Sequence, residues 1–269
     1  MTENKSNSPV LSVRNMRAGY GTLEVLSDIS FDLAPGSIRI ILGTSGCGKS
    51  TLLNNILGLE VAWGGTLDLL GHHLRAGVDP IPLEVRQQCG VLFQNGALLS
   101  SITVAENVAL PLRMHHPEIK EDILREMVAQ KLESVSMLHA WHRLPGELSG
   151  GMRKRAALAR AMILDPQILF CDEPSAGLDP VTSNELDKLL LKLRSELGIT
   201  MLVVTHELNS IDTIADDVLF LSQAKVLFDG SLNAAKNSSE AEVANFFRGF
   251  SSDEFSATNA VSFDIKEEL

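Results

Sequence analysis

Two short segments carry residues whose types and spacing suit phosphate chemistry. Residues 43–50 read GTSGCGKS and fit the pattern G-x-x-x-x-G-K-[ST]. Glycines there let backbone N–H groups wrap the phosphates of ATP, while Lys49 brings positive charge and Ser50 offers Mg²⁺ a hydroxyl. Asp172 and Glu173 end an apolar run, where Asp172 can hold Mg²⁺ and Glu173 can polarise an attacking water. Together the two segments predict ATP hydrolysis.

This chemistry requires the glycine segment to lie between a strand and a helix. Apolar residues 37–42 predict a buried strand, and residues 51–57 predict the helix that follows. Residues 168–171 and 200–205 predict two further strands, and residues 181–197 a helix between them. A strand, a helix and a strand in that order favour parallel pairing of the two strands.

Composition narrows the class of protein. A net charge of −11 argues against nucleic acid as a partner, because neutralising phosphates needs Lys and Arg. Three widely spaced cysteines predict neither a zinc site nor a disulfide framework, and so favour a reducing cytoplasm. We expect no signal peptide in residues 1–8, and no apolar stretch reaches the roughly 18 residues that span a bilayer. Any role at a membrane would therefore depend on partner proteins.

The sequence pattern changes several times along the chain. Residues 1–9 are polar and predict a disordered lead. Helical patterns dominate from about 97 to 163, notably in residues 118–138 and 149–163, and predict an inserted helical subdomain. Residues 231–269 form a tail in which a helix is predicted to begin near Ser238 and Ser239. The acidic end of this tail is either disordered or docks through its phenylalanines on a partner or a second copy.

A third motif, LSGGM at residues 148–152, lies between the two phosphate segments. In that order and spacing it resembles the signature of ABC-type ATPases, and residues 10–230 resemble the nucleotide-binding subunit of an ABC transporter. The resemblance implies an α/β P-loop NTPase fold: a RecA-like mixed sheet core, an antiparallel β-subdomain and an inserted helical subdomain. It also implies ATP and Mg²⁺ as cofactors, and an ATP site that two copies of the chain complete together.

The resemblance assigns roles residue by residue. Glu173 would be the general base, His206 the switch histidine at the γ-phosphate, and Gln94 the glutamine that contacts Mg²⁺ and the water. Asp179 would cross the dimer interface, and Mg²⁺ would be held by Ser50, Gln94 and Asp172. The ATP site of one copy would comprise Tyr20, stacked on adenine, with Gly43, Thr44, Ser45, Gly46, Cys47, Gly48, Lys49, Ser50 and Thr51. The γ-phosphate of the other copy's ATP would be gripped by Ser149, Gly150 and Gly151.

One departure narrows the resemblance, because Met152 stands where the signature usually has glutamine. With the segment FQNGALL at residues 93–99 and the run GGMRKR at residues 150–155, it resembles the ATPase of MCE-type phospholipid transporters. That resemblance implies two ATPase copies, two integral permease subunits, an MCE-domain protein and a STAS-domain protein. It places the chain peripherally on the cytoplasmic face of the inner membrane, in transport of phospholipid between inner and outer membranes.

Two other functions share the same motif core. One is the ATPase of a different ABC importer or exporter, which only the Q-loop segment (residues 93–99, containing Gln94) and Met152 distinguish from the lipid subgroup. The other is a soluble ABC ATPase of iron–sulfur cluster assembly, which has no membrane partner. DNA-repair members of the superfamily are disfavoured, because long coiled coils separate their two phosphate motifs.

Overall fold

The structure, a computed structural model, describes residues 8–44 and 46–256, with side chains described as far as residue 248. Within that part, ten strands form two sheets. The larger sheet has the order β10-β9-β3-β8-β7-β6, and all its neighbours are parallel except β10 and β9. Its strands are β3 (Ile38–Gly43), β6 (Cys89–Leu92), β7 (Ile168–Asp172), β8 (Thr200–Val204), β9 (Asp217–Ser222) and β10 (Lys225–Ser231). The predicted parallel pairing of β7 with β8 is confirmed.

The smaller sheet is antiparallel, with the order β2-β1-β4-β5. Its strands are β1 (Leu11–Tyr20), β2 (Leu23–Leu33), β4 (Gly64–Leu69) and β5 (His72–Arg75). Buried side chains of this sheet join those from one face of the larger sheet in a single apolar core, exemplified by Met16, Phe31 and Phe170. This core holds the end of β1 beside the loop that follows β3.

Helices pack on both sides of the larger sheet. They are α1 (Lys49–Ile56), α2 (Leu83–Arg86), α3 (Val104–His115), α4 (Glu121–Ser134), α5 (Gly150–Ala161), α6 (Pro180–Leu197), α7 (Leu208–Ile214), α8 (Leu232–Lys236) and α9 (Ala241–Ser256). A second apolar core joins α3, α4, α5 and α6 to the other face of the sheet. In the described residues, no helix combines the length and apolar character that crossing a bilayer requires.

Some predicted boundaries differ from those observed. The helical pattern predicted over residues 118–138 forms a helix only from Glu121 to Ser134. Its end has a local cause, since Ser136 adopts a left-handed backbone with φ of 59°, which interrupts the helical hydrogen bonds. Leu138 lies in a separate short 3-10 turn.

The tail folds against the same chain as far as it is described. Helix α9 begins at Ala241, two residues after the predicted Ser239, and the Ser238 hydroxyl accepts a hydrogen bond from the Glu240 amide. Phe246 contacts the buried Phe220 edge-to-face, with ring centroids 5.4 Å apart. Residues 1–7 and 257–269, and the side chain of Phe250, lie outside the description.

A buried amide side chain on α3 binds the second half of the loop that follows β6. Asn107 of α3 is fully buried; its Oδ1 accepts from the Leu99 amide at 2.7 Å. Its Nδ2 donates to the carbonyls of Leu99, Ile102 and Thr103. A single side chain thus provides hydrogen-bond partners for several backbone groups of a segment that is not paired in a sheet.

Replacing Asn107 with Ala should lower the free energy of unfolding by about 2–3 kcal/mol, because buried backbone groups lose their partners. Urea unfolding followed by circular dichroism measures the loss. Asn184→Ala, an exposed helical asparagine on α6, is the matched control and should change stability little. Equal stabilities of the two variants would contradict this account of the loop.

Candidate functional site

The glycine loop joins β3 to α1 in the conformation that phosphate binding requires. Gly48 caps α1 with φ of 101°, and a Cβ there would lie 2.7 Å from Leu26, so only glycine fits. The Lys49 ammonium reaches back across the loop and donates to the carbonyls of Gly43 at 2.9 Å and Thr44 at 3.0 Å. The loop's concave side therefore carries positive charge at a helix N-terminus, where an anion is stabilised. Ser45 lies outside the described residues.

Cys47 contributes packing to this loop. Its side chain is buried, and a Cβ on Gly43 would come within 2.5 Å of its sulfur. Burial raises the pKa of the Cys47 thiol, although the nearby Lys49 opposes that shift. The thiol is therefore mostly protonated and weakly nucleophilic near neutral pH.

A cleft of about 830 Å³ opens over the loop. Most residues predicted for one copy's ATP site line this cleft: Tyr20, Gly43, Thr44, Gly46, Gly48, Lys49, Ser50, Thr51, Gln94, Glu173 and His206. Three residues that were not predicted, Leu23, Val25 and Phe246, line it as well. Tyr20 at the rim is 54% exposed, and its hydroxyl is bound to Glu60 at 2.9 Å and to Thr51 at 3.2 Å. An exposed aromatic ring with an anchored hydroxyl offers a flat face to a base.

The two carboxylates at the end of β7 lie in different surroundings. Burial, reinforced by the charge of Glu173, raises the pKa of Asp172, while Lys154, Lys49 and a hydrogen bond from Ser50 oppose that shift. Glu173 adopts a left-handed backbone with φ of 47°, which is rare for a residue with a Cβ and is often found at functional sites. Its Oε1 lies 2.9 Å from Nδ1 of His206. The turn after β7 therefore aims Glu173 at the histidine that follows β8.

The donor set suits a hard cation such as Mg²⁺. Ser50 and Gln94 line the cleft, and the Asp172 carboxylate is hydrogen-bonded to the Ser50 side chain. Among the described atoms, Oδ1 of Asp172 and Oε2 of Glu173 are buried without a hydrogen-bond partner. Buried oxygens of this kind call for a cation or ordered water, and oxygen donors are those that Mg²⁺ prefers.

The signature residues lie apart from this cleft. None of Ser149, Gly150 and Gly151 is among the described residues that line it. Ser149 caps α5 by accepting from the Met152 amide at 3.3 Å. Ser149 and Gly150 are both exposed, so this helix N-terminus faces solvent. Gly151 packs against α6 so closely that a Cβ would come within 2.4 Å of Thr182.

Asp179 is likewise outside the cleft and caps the next helix. Its carboxylate accepts from the backbone amides of Val181 at 3.1 Å and Thr182 at 3.0 Å. The Thr182 hydroxyl also donates to this carboxylate. The hydroxyl bond contributes most, and with the amide bonds it lowers the pKa of Asp179. Asp179 is therefore the N-cap residue of α6 and satisfies backbone amides of its first turn.

Two basic side chains of α5 were not predicted as site residues. Lys154 donates to the carbonyls of Gln94 and Glu173, and Arg160 donates to those of Gly96 and Ala97. One sequence signal was present for Lys154, since it falls on the buried stripe of α5 with Gly151 and Leu158. Charge on such a stripe indicates a specific buried partner.

Comparisons with known proteins agree with this geometry. A profile of the ABC transporter family matches residues 26–176. The chain is 36% identical over 245 residues to the Escherichia coli K12 protein named intermembrane phospholipid transport system ATP-binding protein MlaF, covering 91% of each chain. It is also 36% identical over 239 residues to a probable ribonucleotide transport ATP-binding protein, mkl, of Mycobacterium leprae, covering 89% of this chain and 69% of that protein.

A solved structure shares the fold. It is a dimeric ATP-binding cassette in a post-hydrolysis state, bound to ADP and Pi, with a TM-score of 0.73 and 28% identity over 82% of this chain and 98% of that one. The expected α/β P-loop fold is therefore confirmed. Since the family profile spans more than half of the chain and the relatives match nearly all of it, the chain belongs to the ABC transporter family of ATP-binding, ATP-hydrolysing proteins.

Proposed function

We propose that this chain is the ATPase subunit of a complex that moves phospholipid between the inner and outer membranes. The observation that carries the proposal is the full-length match to the E. coli phospholipid-transport relative, which covers 91% of each chain. The ribonucleotide-transport relative is equally identical, but the match covers only 69% of its length. The phospholipid-transport relative is therefore matched over more of its own length than the ribonucleotide-transport relative.

Each ATP is proposed to lie between two copies of the chain. The cleft of one copy supplies the glycine loop, Lys49 and the carboxylates, while the exposed start of α5 in the other supplies Ser149 and its neighbouring glycines. Asp179 is proposed to cross the same interface. The separation of the signature from the cleft within one chain supports this arrangement, because the exposed start of α5 is a helix N-terminus, where an anion is stabilised.

Hydrolysis is assigned to the carboxylate and histidine at the strand ends. Glu173 takes a proton from the attacking water. His206, which is hydrogen-bonded to Oε1 of Glu173, orients that carboxylate and faces the γ-phosphate. Lys49 and the loop amides stabilise charge on the phosphates. Ser50, Gln94 and Asp172 would hold Mg²⁺, which when bound neutralises phosphate charge. Loss of the γ-phosphate removes the contact shared by both copies, so the dimer opens.

A groove beside the Q-loop is the proposed permease contact. It encloses about 490 Å³ between the sheet edge and α3. Its lining includes two exposed apolar side chains, Leu83 and Met114, together with Pro111. Exposed apolar side chains in a groove next to a nucleotide-linked loop suit a cytoplasmic segment of an integral permease, because a partner would remove them from water. Through it the chain would sit peripherally on the cytoplasmic face of the inner membrane, with MCE-domain and STAS-domain proteins in the same complex.

Glu173→Gln should bind ATP with near-normal affinity and hydrolyse it about 100-fold more slowly, because the general base is lost while the phosphate contacts remain. Phosphate release and calorimetric ATP titration measure the two effects. Glu196→Gln, the same change on the exposed face of α6, is the control and should behave like the wild type. Near-normal turnover by Glu173→Gln would contradict the assignment of the base.

The full chain, tagged at its N-terminus and extracted from native membranes in mild detergent, should co-purify with a permease, an MCE-domain protein and phospholipid. Met114→Glu should reduce permease recovery and leave ATP binding unchanged, because it places a charge on the proposed apolar contact. Mass spectrometry of proteins and lipids gives the result. Recovery of a solute permease would overturn the lipid assignment, and cytosolic scaffold proteins alone would favour iron–sulfur cluster assembly.

A further inference from the structure

Lys154 is a buried cation that joins two loops of the ATP site. It lies on the first turns of α5 and is only 6% exposed. Its ammonium donates to the carbonyl of Gln94 at 2.5 Å and to that of Glu173 at 2.9 Å. These acceptors are 60 and 19 residues away in sequence, so one side chain connects three separate segments: α5, the Q-loop and the end of β7.

Simple packing does not account for a lysine at this position. Burial lowers the pKa of Lys154, while the nearby Cys171, Glu173 and Asp172 oppose that shift. A buried charge is unfavourable unless charge-assisted hydrogen bonds and neighbouring opposite charges offset it. An apolar side chain would fill the same space without that cost. The position therefore favours a group able to donate to two carbonyls at once.

The hydrogen bond from Lys154 to the Glu173 carbonyl is one of several contacts that hold this residue in place. The Glu173 amide donates to the Val204 carbonyl at 2.8 Å, and its Oε1 is bound to His206. The Glu173 carbonyl accepts from Lys154 and also from the Ala176 amide at 3.2 Å, so the residue is restrained at its amide, its carbonyl and its side chain. Such restraints keep a residue in the left-handed backbone region that a Cβ disfavours.

The same helix holds the next part of the Q-loop. Arg160, two turns further along α5, donates to the carbonyls of Gly96 at 2.7 Å and Ala97 at 2.6 Å. The Q-loop backbone is thus bound to α5 at three successive places. Since α5 also begins with the signature, its displacement would be transmitted to Gln94 and Glu173 through these bonds.

We propose that Lys154 is a positioning residue for ATP hydrolysis, whose ammonium holds the backbones of Gln94 and Glu173 in fixed relation to the signature helix. This inference rests on the proposed role of Glu173 as general base. Lys154 does not contact the nucleotide in this arrangement. It sets where the base and the glutamine lie, and so affects the chemical step more than ATP binding.

Steady-state ATP hydrolysis by the full chain tests the proposal. Lys154→Met keeps the length of the side chain but removes the donors, and kcat should fall about 10- to 100-fold because small misplacements of catalytic groups carry losses of that size. The KM for ATP should change by less than about threefold, because the phosphate contacts are intact. Lys154→Arg, which keeps donors and charge, should restore most of kcat. Lys192→Met, an exposed lysine on α6, is the matched control.

Thermal unfolding of each variant separates positioning from loss of fold. Lys154→Gln keeps two N–H donors without charge, and provides the comparison if Lys154→Met unfolds. The inference would be overturned by wild-type kcat in Lys154→Met, or by a higher KM with unchanged kcat in that variant. Equal losses of kcat in Lys154→Met and Lys154→Arg would also overturn it. Glu173→Gln separates failure of this inference from failure of the proposed function. Normal turnover in Glu173→Gln would refute the general-base role of Glu173, whatever the result for Lys154.

Discussion

The central constraint on this molecule is a pair of adjacent carboxylates at the end of a buried strand. Asp172 and Glu173 are withdrawn from water and repel one another, which raises the pKa of Asp172. Lys49 on one side and Lys154 on another provide the compensating positive charge. Parallel strands bring these groups together, because the carboxyl ends of β3, β7 and β8 meet at one edge of the sheet. In the proposed site, the phosphates of ATP would lie at the loop that carries Lys49, beside these two carboxylates.

Helix α5 links this edge to the rest of the protein. Its N-terminus carries the signature and is exposed, while its buried side donates to the Q-loop through Lys154 and Arg160. Close packing of Gly151 on Thr182 fixes the same helix against α6. One element therefore presents an exposed N-terminus outward and binds the backbones of Gln94 and Glu173 on its buried side. In the proposed dimer, ATP bound by a second copy at the signature would act on the first copy's base through α5.

The nucleotide-binding loop and the strand that carries the carboxylates could be predicted from sequence, because local spacing determines both. Residues 43–50 require glycines at particular turns, and the apolar run before Asp172 has the length of a strand. Lys154 and Asn107 could not be predicted in the same way. Their partners are backbone carbonyls of distant loops, and every residue type provides a carbonyl, so no pattern in the sequence identifies the acceptor. The docking of α9 depends on a contact between Phe246 and Phe220 that is likewise long-range.

The measurement that tests the account most directly is the mass of the Glu173→Gln chain in solution, with and without ATP, by sedimentation velocity. We expect a dimer when ATP is bound and a monomer after the nucleotide is removed. Ser149→Arg in the same background should still bind ATP through its own glycine loop but remain a monomer, because the signature no longer accepts the partner's phosphate. A Glu173→Gln chain that is saturated with ATP and stays monomeric would contradict the claim that two copies complete each site.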